Sequence, residues 1–307
     1  MASNTERTCV RDMWLSSLMR KVPAPAGHID VDGLQLTESE LLAWMDGVNR
    51  LCECHTYAPL SPLRYPGAKG RLAKWILRQI PIVDSLCEPF AGTAAVTLAA
   101  IEHGWPLRRI WINDAHPGVA ALWKTIRDCP NQLISWSRSF RPMTAADWDD
   151  YMAMPRESPL RLVALHAMSF GGLGEKAGGP IGGKSQSSKY TIGCRWSPDR
   201  FAAAVEKWSP LLAGAKITCL DAGGVIEDAA NGGWYCYIDP PYVSVGRQMY
   251  SEAFNHTRLR GLPGQWLMSM DDGDWICGMG TVVSRKQAKT TIGATYFEVL
   301  IKPGDTL

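Results

Sequence analysis

Between residues 85 and 126 the chain switches twice from a short apolar run to a helical pattern. Ser85 to Phe90 reads as a buried strand and Ala94 to Glu102 as an Ala-rich helix. Arg109 to Asp114 reads as a second strand with Ile110 and Ile112 inward. Pro117 to Ile126 reads as a second helix, with the proline suited to its first turn. Two such units in succession point to an α/β fold, a parallel sheet built by right-handed crossovers. Further strands are expected at Lys216 to Asp221 and Trp234 to Asp239. Gln265 to Met270 and Tyr296 to Lys302 would complete the sheet.

The alternation lapses for about 90 residues between these two sets of strands. Residues 128 to 168 have a helical pattern with several Trp. Residues 171 to 193 are rich in Gly, Ser and Lys and read as a long loop or irregular hairpin. A loop of that length inside a compact domain is usually functional or disordered. The expected organisation is therefore an extension over residues 1–60, a sheet domain over 61–127 and 215–307, and an inserted lobe over 128–214. In the extension, Thr37-Glu38-Ser39-Glu40 precedes Leu41, Leu42 and Trp44 as a capped helix would. A further helix is expected from Gly70 to Ile80, with Leu72, Ile76 and Ile80 on one face.

The 307 residues carry a net charge of only +2, so any surface for nucleic acid must be local. The longest apolar run, around Ala91 to Ile101, is too short to span a bilayer, and the N-terminus lacks a secretory pattern. The expectation is a cytoplasmic protein with no membrane partner. Nine scattered cysteines suggest no disulfide framework. Cys52, Cys54 and His55 lack the spacing of a zinc site, so no metal is expected.

The chemistry is concentrated in Asp239-Pro240-Pro241-Tyr242, directly after the apolar run Trp234 to Ile238. Ligands of open α/β sheets bind at strand ends. Two prolines hold the backbone extended and donate no N–H, which leaves the Pro240 carbonyl to accept in a fixed direction. Asp239 adds a second acceptor and Tyr242 a flat face. Two acceptors on the two N–H protons of an aromatic amine favour a pyramidal, nucleophilic nitrogen and stabilise the charge that develops on it. A Pro-Pro turn with a capping Asp is the bland alternative.

Cys87-Glu88-Pro89-Phe90-Ala91-Gly92-Thr93-Ala94 sits at the first strand-to-helix turn. Its small residues admit a cofactor close to the backbone, and no Lys-Ser or Lys-Thr follows, so it is not a phosphate loop. Asp114 and Asp221 each end a strand. Asp114 either accepts from ribose hydroxyls or caps the following helix. Asp221 either accepts from a cofactor's adenine amine or caps a turn. Lys69 is either a cation near the Asp239 strand end or the cofactor carboxylate, or a solvated side chain at a helix start.

Together these segments resemble the Dam-like DNA adenine-N6 methyltransferases of the alpha group, the D12 class. Arg64-Tyr65-Pro66-Gly67-Ala68-Lys69-Gly70 is similar to the family's opening Trp-Ala-Gly-Gly-Lys segment. Glu88-Pro89-Phe90-Ala91-Gly92 is similar to its Glu-Pro-Phe-x-Gly, and Asn113-Asp114, Asp221 and Asp239-Pro240-Pro241-Tyr242 follow in family order. The resemblance runs over about residues 63 to 303. It implies a class I, Rossmann-like methyltransferase sheet with an inserted target-recognition lobe. It also implies S-adenosylmethionine as methyl donor, double-stranded DNA as partner and a flipped-out adenine as target. Restriction-modification, in a bacterial or phage-infected cell, is one setting for such an enzyme; no partner endonuclease is indicated. By the resemblance Tyr65, Lys69, Glu88, Phe90, Gly92, Asp114 and Asp221 surround the cofactor, and Asp239, Pro240, Pro241 and Tyr242 hold the adenine. Departures are Tyr65 in place of Trp, Ala68 in place of Gly, and Ala94 where a second Gly is common. Phe170-Gly171-Gly172-Leu173 is similar to the family's aromatic-Asn-Gly-Leu, but the hairpin that reads GATC is not recognisable, so that specificity does not carry over.

Residues 174 to 200 hold five cations, Lys176, Lys184, Lys189, Arg195 and Arg200, against Glu175 and Asp199. This segment is expected to face DNA phosphates, with only Gln186 and Arg195 as readers of bases, hence a short or relaxed recognition sequence. The alternatives of another class are an RNA adenine-N6 methyltransferase and a catalytically silent DNA-binding module.

Overall fold

The structure, a computed structural model, describes residues 28–31, 34–53, 58–243, 254–289 and 295–304. A hairpin of β1 (His28–Val31) and β2 (Leu34–Thr37) leads into α1 (Glu38–Glu53). Thr37 and Glu40 form the expected cap: the Glu40 N–H donates to the Thr37 hydroxyl (3.3 Å) and the Thr37 N–H to the Glu40 carboxylate (2.8 Å). Leu36 and Trp44 are buried, and Trp44 packs with Ile76, Leu77 and Leu86, which ties this part of the extension to the sheet. The side chains of Cys52, Cys54 and His55 lie outside the described residues.

The helix expected from Gly70 to Ile80 is shorter. A 3-10 turn over Lys69–Arg71 breaks at Leu72 (φ −101°, ψ −11°) before α2 (Ala73–Leu77). The sheet then begins with β3 (Ser85–Glu88), α3 (Ala95–Glu102), β4 (Arg109–Asn113) and α4 (Pro117–Asp128). After the lobe come β5 (Lys216–Thr218), α9 (Ala222–Asn231), β6 (Tyr235–Ile238), β7 (Gln265–Asp271), β8 (Thr281–Lys289) and β9 (Thr295–Lys302).

The strands lie in the order β5-β4-β3-β6-β7-β9-β8. The first five are parallel, and β9 runs antiparallel to both β7 and β8. The chain winds outward from β3 to β5, returns to β6 and winds the other way. β3 and β6 therefore flank the switch point, where a crevice opens beyond their C-terminal ends. Alternation assigns the two faces: Leu86, Tyr235, Tyr237, Leu267 and Leu300 pack under α2 and α3, while Cys87, Cys236, Ile238, Met268 and Val299 pack under α9. Covered on both sides, β3 and β6 are buried along their length.

The lobe holds α5 (Pro130–Ser139), α6 (Ala145–Ala153), α7 (Pro159–Met168) and α8 (Pro198–Leu211). The last was not foreseen; it starts where the Ser197 hydroxyl accepts from the Arg200 N–H (3.4 Å) with Pro198 in the first turn. Leu133, Leu162, Phe201 and Trp208 of the lobe share one apolar cluster with Ile112, Leu122 and Ile217 of the sheet domain. The lobe thereby packs against β4, β5 and α4. No helix among the described residues is long and apolar enough to cross a membrane.

Candidate active site

The crevice at the switch point is a partly open cleft. Asp239, the first residue past β6, points into it and is partly buried. Its Oδ1 accepts from the Ser269 hydroxyl of β7 (2.9 Å) and lies 2.9 Å from Lys69 Nζ. Ser269 in turn shares a hydrogen bond with the Tyr237 hydroxyl (2.8 Å). Burial pushes the Asp239 carboxyl up to about 6, with Lys69 pulling it down and Glu298 pushing it further up. The rest of the motif is pinned from three sides. The Tyr242 hydroxyl donates to Glu298 of β9, the Val243 N–H donates to Asp271 (3.3 Å), and His256 Nε2 bonds the Pro241 carbonyl. Pro241 lines the cleft and Pro240 is buried. Tyr242 is more enclosed than a free stacking face: only 9% of it is exposed, and Lys69 Nζ sits 4.7 Å from its ring centroid. The buried Glu298 draws the hydroxyl inward and turns the ring with it.

The glycine turn forms the opposite wall. Gly92 takes φ +47°, and a Cβ there would meet Tyr65 Cδ1 at 3.3 Å, so glycine allows the tyrosine to close on the turn. Ala94 holds the left-handed conformation (φ 48°, ψ 34°) that a second glycine would take without strain. The Gly92 N–H donates to Asp114 (2.8 Å), and its carbonyl accepts from Trp123 Nε1 (2.9 Å). Glu88 lines the cleft but is almost wholly buried; burial raises its carboxyl to about 7 although the Thr97 N–H donates to it (2.6 Å). Phe90 meets Phe254 edge to face, with centroids 5.0 Å apart, and Tyr65 lies 5.0 Å from the buried His166 ring.

The two strand-end aspartates have different surroundings. Asp114 does not cap α4: that position is His116, whose Nδ1 accepts from the Gly118 N–H (3.1 Å). Asp114 instead accepts from Gly92 and from the His116 N–H (2.9 Å), facing the cleft between two backbone segments. Asp221 does cap α9, accepting from Gly223 (3.1 Å) and Gly224 (3.4 Å), and pairs with Arg258 (2.9 Å) at the cleft rim.

Residues 65–158 match the family model described as D12 class N6 adenine-specific DNA methyltransferase. Over that stretch the chain is similar to the D12-class DNA adenine methyltransferases. The matched stretch takes in the glycine turn, Asp114 and the first helices of the lobe. Its activity is transfer of a methyl group from S-adenosylmethionine to N6 of adenine in DNA, on the class I fold just described. No curated protein matches the chain.

Tyr65, Lys69, Glu88, Phe90, Gly92, Asp114, Asp221, Asp239 and Pro241 all line one cleft. Lys69 is only 5% exposed and ion-paired, not the solvated side chain of the bland alternative. Sequence reasoning missed Glu298, Ser269, Phe254, His256 and Arg258. The available signal for the first two was a lone polar residue in an apolar run, Glu298 in Tyr-Phe-Glu-Val-Leu-Ile and Ser269 in Trp-Leu-Met-Ser-Met.

The methyltransferase's lobe cations stand apart from this cleft. Lys176, Lys184, Lys189 and Arg195 are exposed. Lys189 and Arg195 lie near the Tyr190 ring, at 5.8 and 6.0 Å. The loop folds back on the lobe through contacts of its own. Its Ile181 N–H donates to Met168 (2.8 Å), and Ile192 is buried against Phe140, Trp148 and Leu165. Gln186, expected to read bases, is spent inside the loop: its amide donates to the Ile181 carbonyl (2.9 Å) and accepts from the Ile192 N–H (2.7 Å). Arg195 alone remains of the two expected readers. Glu175 is neutralised by Arg161 (2.8 Å) and Arg156 (2.9 Å). Burial acts against its charge, yet these guanidinium bonds take its carboxyl down to about 2.

Proposed function

We propose that the cleft places a flipped-out adenine of duplex DNA against Asp239, with the methyl donor held between the glycine turn, Asp114 and Asp221. The observation that carries this reading is the Asp239 carboxylate, fixed at the end of β6 by Ser269 and Lys69 and facing the same cleft as Asp114. The donor set fits the cofactor. Carboxylates suit ribose hydroxyls and an amine, the Phe90 and Phe254 edges suit a purine plane, and the small residues at 91–93 admit a chain beside the backbone.

When bound, S-adenosylmethionine supplies an electrophilic methyl group on a positively charged sulfur. Asp239 accepts a hydrogen bond from one N6–H and so turns the nitrogen lone pair away from the ring. With the donor held at the glycine turn, Asp114 and Asp221, the nitrogen would attack its methyl carbon, and the bonding pair of the broken C–S bond would leave with sulfur. Asp239 then takes the proton that the methylated nitrogen releases. A preorganised acceptor at the reacting atom is worth on the order of 3 kcal/mol of barrier. Lys69 keeps Asp239 ionised in its buried position. Lys176, Lys184, Lys189 and Arg195 contact phosphates. With few rigid readers, the recognised sequence is short or relaxed.

The test is methyl transfer from radiolabelled donor to duplex DNA of random sequence, with RNA and protein as parallel acceptors, followed by base-resolved mapping. Label at adenine N6 in DNA is expected. Label only in RNA or protein would overturn the reading.

A further inference from the structure

We propose that Glu298 is a positioning residue of the methyl-transfer site, holding Tyr242 and Lys69 in the arrangement that presents Asp239 to the adenine. This rests on the placement of adenine at Asp239 and adds a residue from outside every segment that carries the family resemblance.

Glu298 lies mid-strand in β9 with no exposed surface. An ionised carboxylate is kept in such a place only when its oxygens are satisfied and a counter-charge is near. Both conditions are met by groups of the site. Oε1 accepts from the Tyr242 hydroxyl and lies 3.6 Å from Lys69 Nζ, and Oε2 accepts from the Tyr296 hydroxyl (3.0 Å). Lys69 thus stands between two carboxylates, Asp239 at 2.9 Å and Glu298 at 3.6 Å, while its third neighbour is the Gly67 carbonyl at 2.8 Å. The cross-strand partners of Glu298 are Asp271 on β7 and Lys286 on β8, and Tyr237 reaches the same cluster through Ser269.

Two consequences follow. Tyr242 is tethered at its hydroxyl, which fixes the end of the Asp-Pro-Pro-Tyr segment and hence the direction of Asp239. Lys69 also faces two carboxylates, and the excess of acidic groups around it favours a nitrogen becoming cationic as it is methylated. Glu298 meanwhile pushes the Asp239 carboxyl upward, opposing Lys69. Removing the Glu298 charge must therefore let Asp239 ionise at lower pH.

The test is E298Q in the full chain, with Y242F and the double variant. Glutamine keeps the shape and one acceptor but loses the charge. Expected are a kcat about tenfold lower, an unchanged Kd for S-adenosylhomocysteine, and an acid limb of the kcat–pH profile moved to lower pH. The double variant should lose less than the product of the two single losses, because both act on one bond. If E298Q does not fold, Y242F breaks the same bond from its other end. A tenfold loss of kcat with intact cofactor affinity then supports the proposal, and unchanged kcat overturns it. A folded E298Q with wild-type kcat and an unmoved acid limb also overturns it. Failure of the wild-type protein to methylate DNA at all would instead remove the underlying reading.

Discussion

Lys69 and Asp239 lie on opposite sides of the lobe in sequence, and in the fold their side chains meet at 2.9 Å. The contact joins the turn before α2 to the end of β6, where the adenine is proposed to sit. It also explains how a carboxylate that burial drives upward stays ionised near neutrality.

Replacing that ammonium should be costly. Lys69→Met leaves Asp239 and Glu298 as neighbouring buried carboxyls without a counter-ion. Breaking a buried pair from one side typically costs about 3–5 kcal/mol. Urea denaturation should show that loss at pH 7, shrinking at acid pH where Asp239 protonates. A stability equal to wild type at pH 7 would contradict the pairing.

The pH dependence of the wild-type enzyme has a defined sign. The folded Asp239 carboxyl titrates at about 6, above its ordinary value near 3.8. Only the ionised form accepts the N6 proton, so kcat should fall as pH drops through about 6. Stability runs the other way. A raised acid binds its proton more tightly when folded, so its contribution is complete below 3.8 and is lost as pH rises through about 6. Pre-steady-state rates between pH 5 and 8 would show the first effect. A flat profile across that window would contradict the role of Asp239.

Asp114→Ala should weaken S-adenosylhomocysteine binding by about 1.5–3 kcal/mol, the worth of charged hydrogen bonds to hydroxyls. It should also loosen the turn, because Asp114 accepts from Gly92 and His116. Calorimetric titration measures the first and thermal unfolding the second. A lower Tm with unchanged affinity would confine Asp114 to holding the turn.

The lobe makes a separate prediction. Lys184→Ala with Lys189→Ala should weaken binding to all DNA sequences alike and lower the salt slope by about 0.9 for each lost phosphate contact. Cofactor affinity should not move, because neither lysine lines the cleft. An unchanged salt slope would place the DNA elsewhere.

Much of the sheet was legible because its central strands are buried on both faces, α3 is a nearly unbroken apolar run and α4 carries a clear apolar stripe. β3, α3, β4 and α4 all fall within a few residues of where periodicity puts them. β8 was not legible: as an edge strand with Val282, Val283, Arg285 and Lys286 all exposed, it has no alternation to read. The ambiguity at Asp114 was local, since a carboxylate three residues before Pro117 looks like a cap. Only the fold shows His116 in that place. The burial of Lys69 and Glu298 depends on each other and on Asp239, residues far apart in the chain, so no window of sequence contains it. Gln186 looked like a base reader by residue type, but its left-handed backbone (φ 51°) and its bonds within the loop make it a staple.

The central claim is that Asp239 meets the amine of the reacting adenine. Single-turnover methyl transfer by Asp239→Ala, with S-adenosylhomocysteine affinity and Tm measured on the same sample, tests it most directly. The account predicts a rate at least about a hundredfold lower, with the protein folded and the cofactor bound as in wild type. A folded Asp239→Ala enzyme that methylates adenine in DNA at the wild-type rate would contradict it.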